Sequence, residues 1–126
     1  MKKVLTYGTF DLFHYGHMQL LNRAKQLGDH LTVGLSSDRF NQEKGKTTVH
    51  PYALRYEFLS QIKYIDAILC EESWEQKIDD IQKNAIDIFV MGDDWQGKFD
   101  FLQAYCQVIY LPRTPDVSST QLKNLL

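Results

Sequence analysis

Val4-Leu-Thr-Tyr-Gly-Thr-Phe-Asp-Leu-Phe-His-Tyr-Gly-His17 changes its pattern partway along. Val4, Leu5, Thr6 and Tyr7 form a short apolar run that reads as a buried strand, and Gly8 stops it. From about Gly16 to Leu27 the period is helical. Met18, Leu21, Ala24 and Leu27 recur every three residues and make one apolar face, and Gly28 follows as a stop.

The alternation continues outward from this unit. Residues 31–35 read as a second strand, and polar residues 41–48 as a loop around Gly45. Pro51 can open a helix whose apolar stripe is Leu54, Phe58 and Ile62. Residues 67–70 read as a third strand, and Ser73 as the cap of a helix running through Trp74, Ile78 and Ile81 to about Asn84. Residues 86–91 form a fourth strand ended by Gly92, residues 99–105 a short helix, and residues 107–111 a fifth strand before Pro112. Ser118 and Gln121 have capping-box spacing and predict a last helix through Leu122 and Leu125. Such alternation predicts an α/β fold: a Rossmann-like, doubly wound, five-stranded parallel sheet with helices on both faces. Ligands of such sheets bind beyond the carboxyl ends of the strands, at the switch point.

The 126 residues suit one domain, 1–126, and 44% hydrophobic content supports a packed core. A formal net charge of -2 argues against a general nucleic-acid binder, while leaving room for a small anion held by local cations. Cys70 and Cys106 lie in apolar stretches outside any Cys-x-x-Cys pair, which predicts two buried thiols in a reducing cytosol. No apolar run approaches the roughly 20 residues of a membrane span, and the N-terminal stretch lacks the pattern of a signal peptide. A cytoplasmic protein with no membrane partner is expected.

Three polar constellations follow strands. After the first come Gly8, Thr9, Phe10, Asp11, His14 and His17. This is neither a Gly-x-Gly-x-x-Gly fingerprint nor a Walker loop. His17 falls in the first turn of a helix, where free N–H groups and the dipole attract anions and lower a histidine's pKa. Zinc would need a third ligand, and His30 and His50 have no helpful spacing. Spacing alone leaves phosphate binding, metal binding and plain capping open. After the fifth strand, residues 113–120 bring Arg113, a planar fork for phosphate oxygens, and the hydroxyls of Ser118, Ser119 and Thr120 to a helix start. After the fourth, Met91-Gly-Asp-Asp-Trp-Gln-Gly-Lys-Phe99 suits either a base pocket or an ordinary turn. Lys44 and Lys46 flank Gly45, on a loop that is either solvated surface or a lid over phosphates. A tryptophan such as Trp74 is more often core than ligand contact.

Together these residues resemble the nucleotidyltransferases with the His-x-Gly-His signature. The blocks at Tyr7–His17, Arg23–Asp29, Trp74–Lys77, Met91–Trp95, Gly97–Leu102 and Leu111–Thr114 resemble the glycerol-3-phosphate cytidylyltransferases within that superfamily. The resemblance implies transfer from CTP to sn-glycerol 3-phosphate, giving CDP-glycerol and pyrophosphate with Mg2+. It also implies a homodimer, and a product used for glycerol-phosphate polymers of a wall teichoic acid or a capsule. It places Thr9, Phe10, Asp11, His14, His17, Lys46, Asp94, Trp95, Arg113, Thr114, Ser118, Ser119 and Thr120 at CTP. Lys44, Lys77, Arg55 and Lys63 fall on the acceptor side. His14, His17 and Arg113 are the implied catalytic residues, and the metal is held through the triphosphate with no direct protein ligand. Three positions depart from the family pattern. Lys63 stands where arginine is usual, Asp116 where glycine is common, and Ser119 where threonine is usual. A related enzyme with another nucleotide or phosphorylated alcohol, and a non-enzymatic nucleotide sensor, are the competing readings.

Overall fold

The computed structural model describes residues 1–112. Within them five parallel strands form one sheet: β1 (Lys3–Gly8), β2 (His30–Ser36), β3 (Ala67–Glu71), β4 (Ile88–Gly92) and β5 (Gln107–Leu111). Their order is β3-β2-β1-β4-β5. The chain leaves β1 toward β2 and β3, then crosses back to place β4 on the other side, so the switch point lies between β1 and β4. Both strands there are enclosed on two faces, which is why Val4 to Tyr7 and Ile88 to Met91 read as near-continuous buried runs.

Strand alternation divides the core. Val4, Leu31 and Val33 pack with Leu21 of α1 (Tyr15–Gln26) and Leu59 of α3 (Tyr52–Ser60). Leu5, Tyr7 and Phe89 face the other way, onto Ile81 of α4 (Gln76–Lys83) and Leu102 in the short 3-10 helix Asp100–Ala104. Helices therefore cover both faces, as the alternation predicts. No helix among the described residues is long and apolar enough to cross a membrane.

Four local expectations change. The predicted loop 41–48 overlaps a real helix, α2 (Asp38–Glu43), started by Ser37, whose hydroxyl accepts the Phe40 N–H at 3.0 Å. Only Phe40 and Asn41 are buried along it, too few to give a helical period. In α3 the inward positions are Arg55 and Leu59, while Leu54 and Phe58 of the expected stripe are 45% and 52% exposed. Arg55 turns the helix because its guanidinium has four oxygen acceptors to reach. The fourth helix starts at Gln76, not at Ser73. The Gln76 side-chain oxygen accepts the N–H of both Glu72 and Ser73 and so closes the preceding turn. Cys70 is exposed rather than buried, and Cys106 is half-buried. The predicted helix from Ser118, with its capping box, lies outside the described residues.

Candidate active site

Two clefts open at the carboxyl ends of the strands. The first, about 610 Å³, is lined by His14, Gly16, His17, Arg23, Gly92, Asp93, Asp94 and Pro112, among others. The second, about 430 Å³, is lined by Tyr7, Thr9, Lys44, Lys46, Glu71, Trp74, Lys77, Trp95 and Phe99, among others. Met91 and Gly92 are chain neighbours that face different clefts, as are Asp94 and Trp95. The clefts therefore lie side by side across the end of β4.

His14 is the N-cap of α1, and its Nδ1 accepts the Gly16 N–H at 3.0 Å. His17, one turn in, accepts the His14 N–H on its own Nδ1 at 3.2 Å. The two histidines complete a reciprocal capping box in place of the usual Ser and Glu. This fixes their tautomers. A neutral imidazole that accepts at Nδ1 carries its proton on Nε2, so each ring keeps one N–H donor for the cleft. Capping and ligand binding are thus compatible jobs for the same ring. The rings stack at 3.9 Å between centroids, and His17 also packs on Phe10 and Phe13.

Burial, then the neighbouring His14, pushes the His17 pKa down from 6.5 to about 4, against a smaller opposing pull from Asp11. The ring is therefore a neutral donor throughout the neutral range. The unfolded chain holds this proton below about 6.5 and the folded chain only below about 4. Stability rises with pH wherever the unfolded state binds more protons. His17 thus contributes a loss of stability as pH falls through that window, and none above it. Histidine ring NMR is expected to find a midpoint near 4 for His17; a midpoint at the ordinary value would contradict this.

Several expected CTP residues have other tasks here. The Asp11 carboxylate accepts the backbone N–H of Val49 at 2.7 Å and of His50 at 2.9 Å. Burial tends to raise its pKa, but these bonds outweigh it and the pKa falls. Asp11 ties the segment after Lys46 to the first loop. The Phe10 ring is buried against Phe13 and His17, leaving its backbone, at φ 50, for any ligand. The Thr9 hydroxyl accepts from Ser36 at 3.2 Å on the side of the second cleft. Asp94 does line the first cleft. It folds back so closely over Gly92 that a Cβ there would lie 2.7 Å from its oxygen. Trp95 lines the second cleft instead, packed on Trp74 and Phe99. Arg113, Thr114, Ser118, Ser119 and Thr120 lie outside the described residues.

Of the residues expected at the acceptor, Lys44 places its ammonium 4.3 Å from the Phe40 ring centroid and 5.4 Å from that of Trp74. Burial lowers its pKa, a pull partly offset by Glu71. Lys46 is exposed at the rim. Lys77 is buried at the floor, where its ammonium donates to Glu71 at 2.7 Å. Arg55 does not line either cleft as an open cation. Its guanidinium, 1% exposed, donates to the carbonyls of Thr9, Ser36 and His50 and to the Asp38 carboxylate. It is a brace between loops, not a free anion contact. Lys63 is exposed and lines neither cleft.

Sequence reasoning missed three residues of the site. Arg23 lines the first cleft and donates to the Pro112 carbonyl at 2.8 Å, holding the chain where it leaves β5. Glu71 ends β3, and its place at a strand's carboxyl end was the available signal. Tyr7 lies across Gly34, where a Cβ would meet its ring at 2.2 Å, and its hydroxyl reaches Asp80 at 2.6 Å. Burial, then the Asp80 hydrogen bond and charge, raise the Tyr7 pKa, so the phenol stays a donor. Trp74, weighed above as core, is 45% exposed and lines the second cleft.

A family model described as Cytidylyltransferase-like matches residues 5–125. A glycerol-3-phosphate cytidylyltransferase of Bacillus spizizenii is 63% identical over 123 residues, covering 98% of this chain and 95% of the relative. That of Bacillus subtilis is 57% identical over the same shares. Among solved structures, a lipopolysaccharide core biosynthesis protein from Thermoplasma volcanium superposes with a TM-score of 0.76 at 23% identity. The match covers 90% of this chain and 97% of that one, and it shows a shared fold.

Proposed function

The chain belongs to the cytidylyltransferase-like family, and from that premise we propose that it transfers a cytidylyl group from CTP to sn-glycerol 3-phosphate. The products are CDP-glycerol and pyrophosphate, and the high identity to two glycerol-3-phosphate cytidylyltransferases supports this substrate pair. One structural observation carries the chemistry. Two imidazoles with tautomers fixed as Nε2–H donors line a cleft beside a second one lined by lysines.

The acceptor phosphate is already anionic, so the reaction needs no general base. An acceptor oxygen attacks the α-phosphorus, and the bond to the β-phosphate breaks. The barrier is electrostatic, because charge grows on the α-phosphoryl oxygens and the leaving pyrophosphate. His14 and His17 donate to the α-phosphoryl oxygens. Lys46, with Arg113 and the segment to Thr120, neutralises the β- and γ-phosphates. Lys44 draws in the acceptor phosphate, and Lys77 lies on the floor of the same cleft, over the Trp74 ring that Lys44 also faces.

Mg2+ fits this donor set as a counterion of the triphosphate. Among the described residues no three His, Cys, Asp or Glu side chains converge to cage a metal. Asp93 and Asp94 are the carboxylates exposed in the first cleft. When bound, magnesium would supply charge neutralisation at the phosphates.

The decisive assay is pyrophosphate release with CTP and glycerol 3-phosphate. Release is expected only with both substrates and is expected to stop on chelation. Turnover with a different nucleotide or alcohol phosphate, and not with this pair, would replace the reading by that of a related transferase.

Leu54 and Phe58, one turn apart on α3 and both exposed, support a homodimer through this face. Sedimentation is expected to give a species of twice the chain mass, which Phe58→Glu converts to monomer. A monomer at all concentrations would exclude the dimer. The enzyme would act in the cytoplasm, where CTP is made, and supply CDP-glycerol for a glycerol-phosphate polymer of a teichoic acid or capsule.

A further inference from the structure

Phosphate recognition leaves the floor of the second cleft unexplained. A carboxylate lining a site for a phosphorylated acceptor has the wrong sign, yet Glu71 is there and buried. One of its oxygens accepts from Lys77 Nζ at 2.7 Å. No donor among the described residues reaches the other. Lys77 is equally unusual. Its ammonium lies 4.5 Å from the Tyr7 ring centroid, 5.0 Å from Trp74 and 5.4 Å from Phe99. Three aromatic faces and a carboxylate around one nitrogen are the recognition elements of an aromatic cage for an alkylammonium ion. Here the cation in the cage belongs to the protein.

We propose that the Lys77–Glu71 pair is the acceptor-specificity determinant: the Lys77 ammonium fills the cation cage, so the cleft admits alcohol phosphates with neutral hydroxylated tails and excludes those with cationic tails. The pair is neutral as a unit. A second ammonium finds the cage filled and would lose its hydration without compensation. A hydroxylated tail meets Lys77 N–H donors and the open Glu71 oxygen. The inference rests on the acceptor being a phosphorylated alcohol, as in the function proposed above. The transfer itself is unchanged for any acceptor. One acceptor oxygen bonds to the α-phosphorus, and pyrophosphate leaves with the electrons of the broken α–β bond.

The test compares kcat/KM for glycerol 3-phosphate, phosphoethanolamine and phosphocholine with CTP. It uses the wild-type chain, Lys77→Met, Glu71→Gln and the double variant. Lys77→Met is expected to shift the ratio toward the two cationic acceptors by about 100-fold. The double variant should lose about tenfold of that shift, because the cage then lacks its counterion. Equal losses for all three acceptors in Lys77→Met would overturn the proposal and leave Lys77 a plain phosphate contact. A wild-type measurement removes dependence on the variants' folding. The uncharged isostere 3,3-dimethylbutyl phosphate should inhibit about tenfold more tightly than phosphocholine. Equal or reversed inhibition also overturns it. If the wild type makes no CDP-glycerol but still prefers the isostere, the assigned reaction fails while the cage reading stands.

Discussion

Replacing either His14 or His17 by alanine lowers kcat for CDP-glycerol formation by about 10²–10³, the usual cost of one preorganised donor to a developing oxyanion. The loss falls on kcat because the charge that each Nε2–H meets is larger in the transition state than in bound CTP. KM for CTP is expected to move much less. Each alanine also removes half of the capping box, which costs about 1 kcal/mol of stability. The two effects are separable at His14. Asparagine is among the best N-cap residues, so His14→Asn keeps the acceptor for the Gly16 N–H but presents no Nε2–H. It should unfold near the wild-type midpoint and still lose turnover like His14→Ala. Pyrophosphate release and thermal unfolding on the same samples decide this. Near-normal turnover in both alanine variants would remove the imidazoles from the chemistry. Recovered turnover in His14→Asn would reduce His14 to a cap.

Much of this site is legible in the sequence because strand ends announce it. The period changes sharply around Gly8, and the helix that follows places His14 and His17 in one turn whatever the remainder of the fold does. Which nitrogen each ring presents is not legible, because it depends on two hydrogen bonds to backbone N–H groups. Charge sign misleads in two places. Glu71 attracts no notice in a search for phosphate donors, although its strand-end position is as informative as that of the histidines. Arg55 attracts too much, because a lone arginine near a proposed anion site looks like a ligand. The carbonyls it serves come from Thr9, Ser36 and His50, in three segments whose convergence only the folded chain reveals. The same convergence rotates α3 and puts Leu54 and Phe58 outside, against the period that reads them as core.

That convergence makes Arg55 the position with the largest expected effect on stability. Arg55→Ala is expected to cost about 3–5 kcal/mol, because each buried carbonyl left unpaired costs about 1–3 kcal/mol. Part of the cost is Coulombic, from the 2.9 Å contact with Asp38. That part is modest, because the Asp38 carboxylate is 51% exposed and water takes over its solvation. The larger part comes from Thr9 and Ser36. Both residues are buried, and their carbonyls share one guanidinium nitrogen at 3.0 and 2.8 Å, so the truncation leaves both without that donor. Arg55→Lys restores the charge but offers a point donor where a planar fork serves four acceptors, so it should recover less than half of the loss. Denaturant unfolding measures this through the midpoint, with an unchanged slope showing that the two-state reference holds. Turnover should fall as well, because Thr9, whose carbonyl Arg55 holds, lines the second cleft, but KM for glycerol 3-phosphate should not rise selectively. An unchanged midpoint with a KM increase confined to the acceptor would return Arg55 to the acceptor site and remove the brace.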